Sequence, residues 1–156
     1  MASQNSAENL PATRAEFYER EDEAWRDLCR TWRGLPEEAL VRPGASGPDW
    51  SVKDVMNHLA AWQEAALRVT QDLMAGRWGS IGASTDRFNA QRFAEDRGRS
   101  LAATRRRLSR ARRELLAHLS RVPARSLLNP FGRQQIGWWA AYSTYAHYAE
   151  HLADSG

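Results

Sequence analysis

Cysteine and lysine each occur once in this chain of 156 residues, and long apolar runs do not occur. The single cysteine, Cys29, excludes an intramolecular disulfide and any metal site made of several thiolates. Its helical setting favours a small buried side chain over a reactive thiol. No apolar run is long enough to span a bilayer, and the polar N-terminus does not resemble a signal peptide. We therefore expect a soluble cytoplasmic protein without a membrane segment.

Several catalytic signatures are also missing. The chain has no nucleophile elbow, no phosphate-binding loop and no dinucleotide fingerprint, and strand-like alternation is absent. An apolar content of 42% and seven tryptophans nevertheless argue against global disorder. The length fits one domain with a single core. We expect a disordered tail over residues 1–10 and one domain over residues 11–156.

Basic charge is carried almost entirely by arginine, since Lys53 is the only lysine. The net charge of +3 is modest. The densest charge lies between residues 97 and 113, where four arginines share one outward stripe of a predicted helix: Arg99, Arg106, Arg110 and Arg113. A solvated face is the favoured interpretation over a phosphate-binding surface, because no aromatic or base-reading side chains interleave. Nucleic acid is therefore not an expected partner.

Apolar residues recur at helical spacing along most of the chain and predict four long helices. These cover residues 12–32, 51–75, 100–122 and 136–153, with a helical turn at 35–40 and a short helix at 86–96. Glycine- and proline-containing loops separate them. The predicted fold is an all-α, up-down-type four-helix bundle with a short extra helix between the second and third long helices.

The second long helix carries a histidine near its start. Ser51 is a good N-cap residue, and Asp54 stands where an acidic side chain closes a capping box. His58 follows about one turn later, at the edge of the apolar stripe. Taken alone, it is interpreted as a half-buried histidine with a structural partner. Its candidate partners of the same kind are His147 and His151 in the last helix.

His147 and His151 lie four residues apart, so both imidazoles project from one face of a helix. Such a pair is most often a surface feature, but a third histidine from another helix changes the interpretation. Three imidazoles suit zinc, nickel, iron or copper and leave coordination positions open, as a catalytic metal requires. The last helix is apolar nearly all round, with an aromatic stripe opposite the histidines. Which of its two faces packs into the bundle is left open.

The chain resembles the DinB/YfiT-like superfamily of four-helix bundles. The matching segments are Leu-Pro-Glu-Glu at 35–38, Gly-Pro-Asp-Trp-Ser-Val-Lys-Asp-Val at 47–55, His-Leu-Ala-Ala-Trp at 58–62 and Thr-Tyr-Ala-His-Tyr-Ala-Glu-His at 144–151. Asp-Arg-Phe-Asn at 86–89, followed by an arginine-rich stretch and Ser-Leu at 100–101, is similar to the DfsB/ClbS branch. The resemblance covers nearly the whole chain from about residue 12.

The resemblance implies a site and a set of partners. It implies that His58, His147 and His151 bind a divalent metal such as zinc, nickel or iron. It also implies a homodimer and chemistry that uses low-molecular-weight thiols. In the ClbS-like branch it implies self-protection by hydrolysis of an electrophilic cyclopropane, a reaction that does not uniformly rely on the metal. Motif position suggests these candidate residues for a substrate pocket: Trp50, Trp62, Phe88, Asn89 and Tyr148.

Two functions of different class follow from these observations. The first is a small detoxification or self-protection enzyme that acts on an electrophilic small molecule, as a metal-dependent hydrolase or a thiol S-transferase. The alternative is a protein of the same fold that binds or sequesters a small molecule without turnover. The sequence assigns no catalytic residue, and it names neither the metal nor the substrate.

Overall fold

The computed structural model describes residues 10–154, and all regular structure in that range is helical. In chain order the helices are α1 (Arg14–Arg33), α2 (Glu37–Val41), α3 (Val52–Met74), α4 (Thr85–Asp96), α5 (Leu101–Leu119), α6 (Ala124–Leu127), α7 (Ile136–Tyr142) and α8 (Tyr145–Asp154). The predicted all-α bundle, with its short extra helix α4, is confirmed. The predicted tail lies outside the described residues except for residue 10.

The helices of the bundle run up, down, down and up. Side chains of α3 meet α5 in ascending order along both helices, with Asn57 at Thr104 and Glu64 at Arg107, so α3 and α5 are parallel. Two parallel neighbours cannot be joined by a tight turn. The connection between them therefore crosses the length of the bundle and carries α4, which packs against α3 beside His58.

Polar caps fix where the long helices begin. Ser51 accepts a hydrogen bond from the backbone nitrogen of Asp54 at 3.1 Å, and the Asp54 carboxylate accepts one from the backbone nitrogen of Ser51 at 2.9 Å. This is the predicted capping box, and it defines the start of α3. Ser100 caps α5 in the same way, through the backbone nitrogen of Ala103. Each cap satisfies donors that a helix end would otherwise leave unpaired.

The prediction of one continuous last helix over 136–153 is wrong, because the helix is interrupted at Ser143 and Thr144. The hydroxyl of Thr144 donates to the carbonyl of Ala140 at 2.6 Å, and the amide of Gln63 donates to the carbonyl of Ser143 at 3.3 Å. These side-chain bonds take up carbonyls of the helical ladder, a recognised cause of helix bending. The interruption separates aromatic α7 from α8, which carries the histidine pair.

The structure also decides which face of the last helix is inside. Thr144 is fully buried and His147 is 8% exposed, whereas Tyr142 on the opposite side is 43% exposed. The histidine-bearing face therefore packs into the bundle, and part of the aromatic stripe faces outward. Within residues 10–154, every helix is too short or too polar to traverse a bilayer.

Gly137 lies in α7, where the helix backbone comes so close to the backbone of Asn129 that there is no room for a side chain. A Cβ at this position would fall on the backbone of Asn129, including its carbonyl, and backbone atoms cannot rotate away as a side chain can. We expect Gly137→Ala to destabilise the fold by about 3 kcal/mol, the upper end of overpacking costs. That cost outweighs the roughly 1 kcal/mol that alanine gains in a helix.

Gly98→Ala is the matched control, since a Cβ there meets nothing within 4 Å. Its effect is expected to stay within about 0.5 kcal/mol. Urea unfolding of both variants and the wild type measures the difference. Equal unfolding midpoints for the two variants would contradict the proposed backbone contact.

Candidate metal centre

Three histidines from two helices converge at one point. His58 projects from the second turn of α3, and His147 and His151 project from successive turns of α8. The Nε2 atom of His147 lies 3.0 Å from Nε2 of His58 and 3.2 Å from Nε2 of His151. The candidate ligand atoms of all three lie within 4.8 Å of one another. The three side chains that the sequence singles out are therefore neighbours in space.

The contacts at His147 are poorly explained by hydrogen bonds alone. A ring nitrogen of neutral imidazole holds either one proton or one lone pair. The Nε2 atom of His147 can therefore form a good hydrogen bond with only one of its two close neighbours. A cation between the rings would accept the lone pairs of all three nitrogens at once. Nitrogens that share a tetrahedral ion at about 2.0–2.1 Å are themselves about 3.3 Å apart, close to the observed separations.

Burial keeps the imidazoles of His58 and His147 neutral. Desolvation lowers the pKa of His58 to about 3, with a smaller contribution from neighbouring His151. Desolvation also lowers the pKa of His147 well below its ordinary value, with His58 and His151 adding to the effect. Neutral imidazole is the form that binds a metal, because its lone pair must be free. At neutral pH His58 and His147 therefore offer neutral nitrogen donors.

The donor set fits a divalent ion. Three imidazoles suit zinc, nickel or iron and leave further coordination positions open. Among the described residues no acidic or thiol side chain joins the three histidines as a fourth ligand. The Nδ1 atom of His147 is buried without a hydrogen-bond partner in the part of the chain described. Since metal-bound histidines usually donate from this atom to an acceptor, the support behind His147 is weaker than in most metal sites.

A narrow cavity adjoins His58 on the side of α4. Its volume is about 10 Å³, which is room for one water molecule. The rings of Trp50 and Phe93 stack at 4.9 Å to form its apolar wall, and Trp50 meets His58 edge-on at 5.2 Å. Asn57 and Asn89 are among its polar lining residues. A molecule larger than one water would therefore have to bind at the rim of this cavity or displace the aromatic rings.

The five candidate pocket residues occupy different places. Trp50 and Asn89 line the cavity beside His58. Trp62 lies just behind it, where its indole nitrogen donates to Asn89 at 2.8 Å and its ring packs on Phe88 at 4.7 Å. Tyr148 is fully buried, and its hydroxyl accepts from Gln63 at 2.7 Å. Burial raises the pKa of the Tyr148 hydroxyl, so it is a neutral core group facing away from the cavity.

Sequence reasoning missed the charged network that supports this cavity. Arg107 forms a bidentate pair with Glu64, at 2.7 and 3.0 Å, and also binds Asp96 at 2.7 Å. Burial alone would lower the pKa of this guanidinium, but the bonds to Glu64 and Asp96 raise it. Because its members come from α3, α4 and α5, the network fixes the crossover helix against the bundle. It thereby holds Phe93 beside Trp50.

The arginine run over residues 99–113, most of which lies in α5, divides into inward and outward members. Arg99, Arg106, Arg110 and Arg113 are exposed, as the predicted outward stripe requires. Arg112 instead turns inward and pairs with the fully buried Glu21 of α1. Burial raises the pKa of the Glu21 carboxyl, although Arg112 acts in the opposite direction. The inward arginines are therefore structural.

Comparison with protein families gives one match of wide extent. The model of the DinB superfamily matches residues 21–154, nearly the whole chain. The chain belongs to the DinB superfamily. Comparison with curated proteins gives no match. The three histidines of this DinB-superfamily chain all lie within the matched region.

Solved structures show the same fold at low sequence identity. An uncharacterised protein from Escherichia coli UTI89 is 16% identical, with a TM-score of 0.78 over 94% of this chain and 92% of its own. The colibactin self-resistance protein ClbS, solved in complex with double-stranded DNA, is 15% identical, with a TM-score of 0.79 over 94% and 95%. DfsB, described as a sibling lethal factor precursor, is 14% identical, with a TM-score of 0.76 over 93% and 94%. These likenesses establish the DfsB/ClbS-like fold.

Proposed function

We propose that this protein is a metal-binding detoxification or self-protection enzyme that acts on an electrophilic small molecule. The observation that carries the proposal is the convergence of three imidazoles, with Nε2 separations of 3.0 and 3.2 Å, beside a cavity of mixed aromatic and polar lining. The self-resistance role of ClbS, which shares the fold, supports the choice of a protective role. The proposed partners are a small-molecule substrate and a second copy of the chain.

His58, His147 and His151 would hold the ion. Such an ion, when bound, polarises an electrophile and lowers the pKa of a water or thiol toward neutrality. The chain's own contribution is binding and orientation. The flat wall of Trp50 and Phe93 receives an apolar part of the substrate. Asn89, whose carbonyl oxygen accepts from Trp62, presents its amide NH₂ group as a donor to an electronegative atom of the substrate.

The acidic residues near the cavity are already engaged. The Asp54 carboxylate closes the capping box of α3, and Asp96 pairs with Arg107 and Arg99. Neither is free to act as a general base without disrupting the fold. The activating group is therefore placed at the histidine cluster.

In hydrolysis, a bond forms between the oxygen of water and the electrophilic carbon. The bond between this carbon and the leaving atom of the strained ring breaks. The leaving atom keeps the electron pair of that bond and gains the proton that the water loses. In thiol transfer, sulfur takes the place of the water oxygen.

Turnover of strained-ring electrophiles tests the proposal. Styrene oxide and an activated cyclopropane would be incubated with apoprotein and with protein loaded with zinc, nickel or iron, in the presence and absence of N-acetylcysteine. We expect ring-opened products above background only with a loaded metal, and none with the His147→Ala variant. A ligand that is bound and returned unchanged under every metal would contradict the enzyme and favour the non-catalytic binding protein.

The proposed partners do not include nucleic acid. Arg106, Arg110 and Arg113 are exposed on α5, and the ClbS structure contains double-stranded DNA. At 15% identity that likeness carries the fold and not the partner. The expectation against nucleic-acid binding therefore stays a prediction.

A further inference from the structure

The contact between α1 and α5 is closed at one end and open at the other. At the closed end the Tyr18 hydroxyl donates to the carbonyl of Leu116 at 2.9 Å, Arg14 donates to the carbonyl of Leu119 at 3.0 Å, and Arg112 pairs with Glu21. The two helices are antiparallel, so the same register continues toward the last two turns of α1 and the first two of α5. There the helices are separated by a cavity of about 220 Å³.

The walls of this α1–α5 cavity are apolar and aromatic. They are formed by Trp25, Trp32, Met56 and Leu108, with Cys29 and Ser109 between them. The ring of Trp25 is held from two sides, by the guanidinium of Arg112 at 4.8 Å and by the ring of Tyr148 at 5.4 Å. These neighbours therefore fix the wall of the cavity that Trp25 forms.

The polar end of the cavity is positively charged. Arg33 and Arg105 both line it, and no carboxylate does so among the described residues. Arg33 forms no ion pair within residues 10–154. The Arg105 side chain is 49% exposed and forms an ion pair with Glu37 at 3.5 Å. That partner is itself 77% exposed, so it competes weakly with a ligand for the guanidinium.

We propose that the α1–α5 cavity binds a small amphipathic carboxylate, whose apolar body lies between Trp25 and Leu108 and whose anionic group pairs with Arg33 and Arg105. Planar guanidinium groups match a carboxylate in geometry as well as charge. The volume lies below the roughly 300–1,000 Å³ of pockets that hold drug-sized ligands. The expected ligands therefore have one ring or a short alkyl chain.

This site is separate from the histidine centre. The residues that line the α1–α5 cavity and those that line the cavity beside His58 have no member in common. Tyr148 stands between them: its ring packs on Trp25, and its neighbour in sequence is His147. The inference thus does not rest on the proposed function, and either can fail without the other.

Cys29 gives the site a built-in reporter, because it is the only cysteine of the chain and lies in the cavity wall. The probes are 3-phenylpropanoate and its neutral counterpart 3-phenylpropanol, with tryptophan fluorescence to measure affinity and iodoacetamide alkylation of Cys29 to measure protection. We expect 3-phenylpropanoate to bind and to slow the alkylation. In the double variant Arg33→Gln/Arg105→Gln, its affinity should fall about 10-fold or more, as for lost charge-assisted hydrogen bonds. The affinity of 3-phenylpropanol should not change.

The control is Arg106→Gln/Arg110→Gln, which removes two exposed arginines of α5 that do not line the cavity and should leave both probes unaffected. Circular dichroism melts check that all variants fold. Three results would overturn the inference: no protection of Cys29 by 3-phenylpropanoate, equal affinity for acid and alcohol, or protection that depends on protein concentration and not on the probe. The last would assign the cavity to a contact between two copies of the chain.

Discussion

His147→Ala is expected to weaken metal binding by more than about 100-fold, since loss of a supporting group behind a ligand already costs 10–100-fold. His147 is the central member of the cluster, because its Nε2 atom is close to both other rings. Its removal leaves His58 and His151 as two separate donors. Isothermal titration with zinc after removal of metal by a chelator measures the effect, and the wild type should bind one zinc ion per chain.

Thermal unfolding gives a second readout of the same variant. With free zinc at about 100 times the wild-type Kd, the wild type should gain roughly 2.7 kcal/mol, or about 5–10 °C in Tm, and His147→Ala should gain less than about 0.4 kcal/mol. The matched control is His118→Ala, because His118 is the one histidine outside the cluster. A zinc response that persists in His147→Ala, or one that disappears in His118→Ala, would contradict the assignment.

Arg107→Met is expected to destabilise the fold by about 3–5 kcal/mol, the cost of leaving buried charges without their partner. The Arg107 side chain is 6% exposed and that of Asp96 is 8% exposed. Removing the guanidinium therefore leaves Asp96 with only its longer contact to Arg99, at 3.3 Å, and takes away the ion-pair partner of Glu64. Urea unfolding measures the loss, with Arg106→Met as the control at the neighbouring exposed position.

A combined variant distinguishes two possible causes of the lost stability, unpaired charge and lost packing. Adding Asp96→Asn and Glu64→Gln to Arg107→Met removes the stranded charges, and we expect part of the stability to return. If Arg107→Met loses no more than Arg106→Met, the network is not structural. If the triple variant is less stable than the single one, the loss comes from packing and not from unpaired charge.

Much of the fold could be predicted because its signals are local. Ser51 and Asp54 mark the start of α3 through their own backbone bonds, and the spacing of apolar residues indicates the long helices. The interruption at Ser143 could not be predicted in this way, since it depends on Gln63 from another helix. The short helix α6 likewise lies where the sequence predicts only a loop, between the third and fourth long helices.

Less of the candidate site than of the fold could be predicted from local sequence. His147 and His151 are four residues apart and share a face by geometry. Their meeting with His58 is offered by the residues only as one alternative, because it depends on packing between helices, and the resemblance favours it. Arg107 stands in a run of arginines, and a run of like charge predicts a solvent-exposed face. One signal did exist: Arg107 shares a helix face with Thr104 and Ala111, which are both buried. Its acidic partners come from other helices, and local sequence cannot identify them.

The central claim is that three imidazoles jointly hold one metal ion. The most direct test is a crystal structure of zinc-loaded protein with anomalous scattering measured on both sides of the zinc absorption edge. We predict one anomalous peak at about 2.0–2.1 Å from the Nε2 atoms of His58, His147 and His151, with solvent and no fourth protein ligand completing the coordination. A zinc-loaded crystal without a peak between these rings, or with its peak on other residues, would contradict the claim.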